Sequence, residues 1–400
     1  MQKVTFNQDL ANIRMSPIVS ISEEVRRRAP QFQHETGKQF VLFQRGEIDF
    51  ATPQYIVEAA KRALDAGLTK YPKSGGEDPL KDAILMKLRE FNKAGGLTRD
   101  NIVCTYGGQE ALELSFKLFA GKRGAGFAPC WSCVLENFVP FANIDFVEVP
   151  LGKDFSIDFG KLEEIIKQVS FFYLNTPQNP TGKLFTEDEV RRIAGLCDRY
   201  GVYLISDEAY ERITYDGQTH FSPLSLPMEN MIACYTFSKT YSMTGWRLGY
   251  LVTRNTAIAK LVTLGDYTQT AGVVTFLQHA GKEAIENRTE ESKFLKEMIA
   301  EFQIRRDVLY SGLKGIPGIE VEKPAGAFYL FPNFTKLIPS NLAGHERHRN
   351  IWNRLMAKGV ATVYGSCFGQ HFGDNVRFSF STTPVEKIKE GVDRMKEVLV

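Results

Sequence analysis

The sequence has no long hydrophobic run. No stretch of its 400 residues approaches the roughly 18 consecutive apolar residues expected of a membrane-spanning helix. Residues 1–15 are polar and lack the apolar core of a secretory signal. Cysteine is scarce, and six cysteines in a chain of this length exclude a disulfide scaffold. The sequence therefore predicts a soluble cytoplasmic protein that does not act at a membrane.

An excess of charge of one sign is also missing. There are 49 Lys and Arg residues against 47 Asp and Glu, a net charge of +2. This balance argues against a polybasic nucleic-acid binder and against an acidic tail, so the run Arg26–Arg28 reads as a solvated helix face. Hydrophobic residues make up 43%, which excludes a disordered chain.

The middle of the chain alternates short apolar runs with longer amphipathic stretches. Helical patterns follow at 111–118 and 187–200. Apolar runs without polar alternation are typical of strands buried on both faces, with helices between them. We therefore expect a parallel α/β sheet. The predicted strands are 102–104, 144–149, 171–174, 202–205 and 232–237.

The last third has a different pattern and predicts a smaller α+β unit. A long charged helical stretch covers 283–313, followed by candidate strands at 321–331, 360–363 and 376–380. The first 45 residues carry helix signals at 20–29 but no strand core of their own. We predict an N-terminal segment packed with the small unit (1–45), a large domain (46–286) and a small domain (287–400).

A lysine follows the predicted strand at 232–237. Lys239 could serve covalent chemistry, because a desolvated lysine has a lowered pKa and can form a Schiff base with a carbonyl. Ser238 and Arg247 beside it could hold a phosphate. A lone lysine at a strand end is more often simply solvated. The hypothesis of covalent chemistry therefore depends on the residues around Lys239.

Three further segments place polar residues directly after strands or at a helix start. The turn 175–182 could fix an amide against a ligand or be a plain polar turn. Asp207 is costly to bury without a cation, unless it caps a helix. Gly107 and Gly108 open a helix whose free N–H groups suit a phosphate, although the pattern is neither a Walker A loop nor GxGxxG.

Two other motifs carry no function in this interpretation. Cys130 and Cys133 form a CxxC without a second pair or a thioredoxin-like context. His345 and His348 lack the HExxH spacing and a third ligand. We predict no metal site.

Taken together and in this order, the four segments resemble the class I/II aminotransferases of the aspartate aminotransferase superfamily. These are pyridoxal-phosphate enzymes of fold type I. The resemblance covers essentially the whole chain, including 46–50, 71–75, 324–329 and 377–380. It implies an α/β fold in which helices sandwich the mostly parallel sheet of a large domain, plus a smaller α+β domain.

The resemblance implies roles for residues around the cofactor ring. Lys239 resembles the Schiff-base lysine that also shuttles the substrate proton. Asp207 resembles the partner of the pyridine nitrogen, while Asn179 and Tyr210 resemble the pair that bonds the phenolic oxygen. Trp131 resembles the ring stacked on the pyridine.

The remaining implied roles concern phosphate and substrate. Arg377 resembles the bidentate clamp on the substrate α-carboxylate. Tyr71 resembles the residue that reaches the phosphate of a neighbouring subunit, which implies a homodimer with shared active sites. The resemblance also implies that the cofactor phosphate is bound by Gly108, Gln109, Ser238 and Arg247. It implies that the substrate is bound by Gly46, Asn175, Asn179 and Trp131 as well.

The resemblance predicts an L-amino acid aminotransferase that works by ping-pong transfer to a 2-oxo acid such as 2-oxoglutarate. The residues also permit a carbon–sulfur β-lyase or another enzyme of this fold type. A cofactor-binding regulator is less favoured, since Met15, the first landmark, leaves no room for a winged helix before it. Ser16 and the arginine-free loop 267–272 argue against aspartate as preferred donor.

Overall fold

The centre of the fold is a seven-stranded sheet in the order β2–β8–β7–β6–β5–β3–β4. The computed structural model describes residues 13–400; residues 1–12, part of the predicted N-terminal segment, lie outside the described residues. Strand β8 alone runs antiparallel to its neighbours β2 and β7. The strands are β1 (Val41–Leu42), β2 (Ile102–Thr105), β3 (Arg123–Ala128), β4 (Asp145–Pro150), β5 (Phe171–Asn175), β6 (Tyr203–Asp207), β7 (Met231–Thr236), β8 (Gly249–Val252), β9 (Tyr329–Leu330), β10 (Val360–Ala361), β11 (Val363–Tyr364) and β12 (Val376–Ser379).

Helices cover both faces of this sheet, because its central strands are apolar on both sides. Phe172 and Leu204 belong to one buried cluster, and their neighbours Phe171 and Ile205 belong to another. The predicted mostly parallel α/β sheet is therefore confirmed. The helices are α1 (Pro17–Thr36), α2 (Gln54–Asp65), α3 (Asp78–Glu90), α4 (Gly107–Lys117), α5 (Val139–Phe141), α6 (Phe159–Ile166), α7 (Glu187–Arg199), α8 (Phe237–Thr240), α9 (Thr256–Thr270), α10 (Thr275–Glu286), α11 (Arg288–Lys314), α12 (Gly344–Ala357) and α13 (Val385–Leu399).

The C-terminal third forms a smaller α+β unit with its own core. Strands β11, β12 and β9 make an antiparallel sheet. Strand β1 pairs in parallel with β10, so residues 41–42 join this unit. The predicted long helix is interrupted at Asn287, whose side chain accepts from the Glu290 N–H and caps α11. This break falls at the predicted domain boundary, and the boundary itself stays a prediction.

The predicted strand at 321–331 is wrong over most of its length. Only Tyr329–Leu330 is a strand. The preceding backbone bonds to the large domain instead, because the N–H groups of Ala325 and Gly326 both donate to the Gly182 carbonyl, at 3.1 and 3.0 Å. Proline at 324 also cannot donate to a ladder, which favours a loop here.

Strands β3 and β8 were not predicted, and β3 shows why. Its sequence contains Gly124 and Gly126, which normally weaken a strand. Here aromatic rings occupy the space above the glycines: a Cβ at Gly124 would lie 2.2 Å from the Phe171 ring. Within residues 13–400 no helix is long and apolar enough to cross a membrane.

We predict that Gly124→Ala destabilises the protein by about 1–3 kcal/mol, the usual range for overpacking a core. The Phe171 ring packs against the rings of Phe116 and Phe119, at centroid distances of 5.2 and 5.0 Å, which restricts its movement away from a new Cβ. Thermal unfolding measures the effect. Gly195→Ala in helix α7 is the matched control, because, apart from neighbouring positions of its own helix, no atom of residues 13–400 lies within 4 Å of a Cβ there. An equal loss in both variants would contradict this explanation of β3.

Candidate active site

The carboxyl ends of β5, β6 and β7 meet at one edge of the sheet, where a cavity of about 320 Å³ opens. Ligands of open α/β sheets bind at this edge. The structure brings every predicted site residue except Tyr71 to the cavity wall. These residues are Gly46, Gly108, Gln109, Trp131, Asn175, Asn179, Asp207, Tyr210, Ser238, Lys239, Arg247 and Arg377.

Lys239 reaches the cavity from the short helix α8, which follows β7. Its Nζ donates to the Gly46 carbonyl at 2.6 Å. Burial lowers the pKa of Lys239 to about 8. No carboxylate lies within ion-pair distance of Nζ in the part of the chain that the structure describes. The amine is therefore neutral in a substantial fraction of molecules near pH 8, as a nucleophile requires.

Asp207 ends strand β6 and is 5% exposed. Its Oδ2 accepts from the Tyr173 hydroxyl at 2.8 Å, and its Oδ1 accepts from the Ala209 N–H at 3.2 Å. Burial raises its pKa to about 6 despite these two bonds. Within residues 13–400 it has no cationic partner, so it is a buried anion with room for a cationic ligand atom.

Arg377 on β12 is completely buried. Its Nη1 donates to Asn179 Oδ1 at 3.1 Å and its Nη2 to the Gln44 carbonyl at 2.8 Å. Its Nε finds no partner among the described residues. Burial lowers the pKa of this guanidinium, and its nearest partners are neutral. A buried cation of this kind suits a carboxylate ligand.

Asn175 and Tyr210 are held by neighbours inside the cavity wall. The Asn175 side chain donates to the Asp207 carbonyl at 3.0 Å and accepts from the Asn179 N–H at 2.7 Å. It therefore fixes the turn 175–182 to the end of β6. The hydroxyls of Tyr210 and Tyr329 lie 2.9 Å apart.

The start of helix α4 forms the far wall of the cavity. Gly107 has φ +76°, and a Cβ there would lie 2.9 Å from Arg247 Nη2. Ser238 accepts from the Thr236 hydroxyl at 2.9 Å and also lines the cavity. Free N–H groups, a hydroxyl and a guanidinium at a helix N-terminus make a suitable anion site.

Tyr71 lies outside this cavity. It is 91% exposed and lines a separate groove of about 450 Å³, together with Tyr106 and Gly272. Its predicted role concerns a neighbouring subunit, so this position neither supports nor contradicts that prediction.

Sequence reasoning missed Tyr173, Tyr329, Ile18 and Val19. Tyr173 stands two residues before Asn175, so strand alternation was a usable signal that both face one side. Tyr329 belonged to a recognised motif, but nothing local showed that its ring lies 4.6 Å from the Arg377 guanidinium carbon. Ile18 and Val19 line the cavity from α1, which only the tertiary fold brings there.

The comparisons agree with this geometry. The family model for aminotransferases of class I and II matches residues 38–395. A probable aspartate aminotransferase of Methanocaldococcus jannaschii is 34% identical, covering 88% of this chain and 92% of that protein. A probable aspartate/prephenate aminotransferase of Aquifex aeolicus is also 34% identical, covering 98% and 97%.

A solved structure is similar over nearly the whole chain. The aspartate aminotransferase from Thermus thermophilus with maleate superimposes with a TM-score of 0.90 at 29% identity, covering 99% of this chain and 100% of that one. The fold and the site thus define an aminotransferase. The chain belongs to the class I and II aminotransferase family.

We predict that Asp207→Asn stabilises the ligand-free protein at pH 8. The pKa of Asp207 is about 6 when folded, against about 3.9 in an unfolded chain. Above pH 6 the ionised group therefore weakens folding, on the order of 2–3 kcal/mol, and by pH 4.5 this falls to about 1 kcal/mol. Thermal unfolding at both pH values measures the difference.

The control for this variant is Asp188→Asn, whose carboxylate is 79% exposed. It should change stability little at either pH. A stabilisation by Asp207→Asn that is the same at pH 8 and pH 4.5 would contradict the assignment of its pKa.

Proposed function

We propose that this aminotransferase uses pyridoxal 5′-phosphate and transfers the amino group of an L-amino acid to a 2-oxo acid in two half reactions. One observation carries the proposal. Lys239, Asp207 and Arg377 surround a single cavity, and within residues 13–400 none of them forms an ion pair. Two buried ionisable groups and one half-buried one, all unpaired among the described residues, are unfavourable together unless a ligand supplies the opposite charges.

The residues present fit this cofactor. The helix α4 terminus, Ser238 and Arg247 offer donors for its phosphate. Asp207 offers a buried carboxylate for a protonated ring nitrogen, and Trp131 offers an aromatic face. When bound, the cofactor supplies an electron sink for the carbanion formed at the substrate Cα.

Each residue has a distinct task in this proposal. Lys239 would hold the cofactor covalently through Nζ; once the substrate amine displaces it, the free Nζ would accept the proton from the substrate Cα and deliver it to C4′ of the cofactor. Asp207 keeps the ring nitrogen protonated through its negative charge. Asn179 and Tyr210 orient the ring through its phenolic oxygen.

Arg377 holds the α-carboxylate of the donor and of the acceptor in turn. Its unpartnered Nε and the lost solvation of its guanidinium favour a planar, bidentate anion. Gly46 lines the same cavity, and its carbonyl accepts from Lys239. Asn175 acts on the carboxylate site indirectly, by fixing Asn179.

The donor is an L-amino acid whose side chain reaches the wall formed by helix α1. Ser16, Ile18 and Val19 contribute there a hydroxyl and two apolar side chains. Relatives are named for aspartate and for aspartate/prephenate. We infer that uncharged side chains suit this wall, and 2-oxoglutarate is one acceptor to test.

The test begins with covalent trapping. Borohydride reduction of the protein with pyridoxal phosphate should attach the label to Lys239, identified by peptide mass, and Lys239→Ala should carry none and have no turnover. Lys87 is the internal control, because it is a buried lysine whose amine is paired with Glu211. Labelling of Lys87 or full activity of Lys239→Ala would refute the assignment.

A panel of L-amino acids then identifies the donor. Conversion of the yellow cofactor band to the pyridoxamine form by one amino acid, with release of its 2-oxo acid, is the expected result. Accumulation of pyruvate and ammonia from a cysteine-type substrate, with the band unchanged, would identify a carbon–sulfur β-lyase instead.

We further propose a homodimer with shared active sites. Leu261, Leu264 and Tyr267 on helix α9 are more than half exposed. Thr270, the last residue of this helix, lines the same groove as Tyr71. A second copy of the chain would cover these apolar side chains and bring Tyr71 to the partner's phosphate site.

We predict that Leu264→Glu yields monomers with weakened cofactor binding, because a charge in an apolar interface is strongly unfavourable. Sedimentation velocity measures the oligomeric state of the variant. Ile304→Glu is the control, because Ile304 is a similarly exposed apolar residue on helix α11, at 52%. A dimer unaffected by Leu264→Glu would place the interface elsewhere.

A further inference from the structure

The phenol of Tyr173 bonds directly to the carboxylate at the centre of the site. Its hydroxyl donates to Asp207 Oδ2 at 2.8 Å. Strands β5 and β6 are parallel and pair Tyr173 with Ile205 and Asn175 with Asp207. Since alternate residues of a strand share a face, Tyr173 and Asn175 both point to the side of the sheet where Asp207 lies.

The phenol is fixed in place by packing. Tyr173 is 1% exposed, and its ring lies 5.7 Å from that of Phe116, within the core that also contains Phe138 and Phe171. Burial raises the pKa of Tyr173 well above its usual value, so the hydroxyl keeps its proton. Tyr173 is thus a permanent donor to Asp207.

Two donors on different oxygens determine the plane of the Asp207 carboxylate. The Ala209 N–H bonds Oδ1 and Tyr173 bonds Oδ2. The two carboxylate oxygens together have about four acceptor sites, so these two bonds leave acceptor capacity for a ligand in the cavity. Rotation of the carboxylate would break at least one of these bonds.

We propose that Tyr173 is a positioning residue that keeps Asp207 ionised and aimed at the ring nitrogen of the cofactor. The inference rests on the proposed function. Hydrogen bonds to the charged form of an acid lower its pKa, and here they oppose the strong effect of burial. Without Tyr173, Asp207 would take up a proton at a higher pH and lose the charge that pairs with a protonated pyridine.

Several other titratable groups face Asp207. The pKa values of Tyr210, Tyr329 and Cys234 are raised by burial, so these groups stay neutral between pH 5.5 and 8.5. Lys239 lines the same cavity, and it is present in both proteins that the experiment below compares. Glu208, the next residue along the chain, contacts His220, Ser222 and Tyr235.

The test is the affinity for pyridoxal phosphate between pH 5.5 and 8.5, measured by quenching of protein fluorescence in cofactor-free wild type and Tyr173→Phe. The Phe ring retains the packing on Phe116. We expect binding about tenfold weaker in the variant at pH 5.5 and less than twofold weaker at pH 8.5, as for a pKa rise of roughly one unit at Asp207.

Two controls separate positioning from a structural defect. Tyr235→Phe removes an equally buried phenol–carboxylate bond, of 2.9 Å to Glu208, without touching Asp207. It should leave the pH profile unchanged. In an Asp207→Asn background, Tyr173→Phe should have no further pH-dependent effect.

Other outcomes would overturn the proposal. Superimposable profiles for wild type and Tyr173→Phe would show that the bond does not act on Asp207. The same loss at every pH, or a persisting effect in the Asp207→Asn background, would show a structural role only. Failure of the wild type to bind pyridoxal phosphate would instead refute the proposed function.

Discussion

Burial of unpaired ionisable groups is the constraint on which the rest of the site depends. Asp207 and Arg377 are buried and Lys239 is half-buried, and none of them has an ion-pair partner in the described part of the chain, although partners normally accompany buried charges. Neutral donors and acceptors hold each group instead. The ligand-free fold therefore carries a strain that a bound, oppositely charged ligand relieves.

The sheet makes this arrangement possible because it brings distant segments to one edge. Asn175 and Asp207 end adjacent parallel strands, and Lys239 follows the next strand. Arg377 comes from the smaller unit, where β12 lies across the cavity. The cavity wall thus combines two units of the chain, and Asp207, Lys239 and Arg377 lie on strands and a helix rather than on long loops.

Much of the fold and of the candidate site was predictable from the sequence, for two different physical reasons. Continuous apolar runs such as 171–174 identify strands buried on both faces, and polar residues directly after them mark the functional edge. Strand β3 was not predictable in this way, because Gly124 and Gly126 have weak strand preference and only the neighbouring rings explain them. The strand expected at 321–331 does not form over most of that range, because the backbone there bonds to Gly182, which is distant in sequence.

The sequence by itself determined the alternation of strands and helices, the polar residues at strand ends and the family resemblance that they carry. The tertiary structure alone decided that Tyr173 bonds Asp207, that Tyr329 lies against Arg377 and that α1 lines the cavity. The reason is physical. Local composition controls which residues are apolar or polar, whereas strand register and domain packing control which buried groups meet.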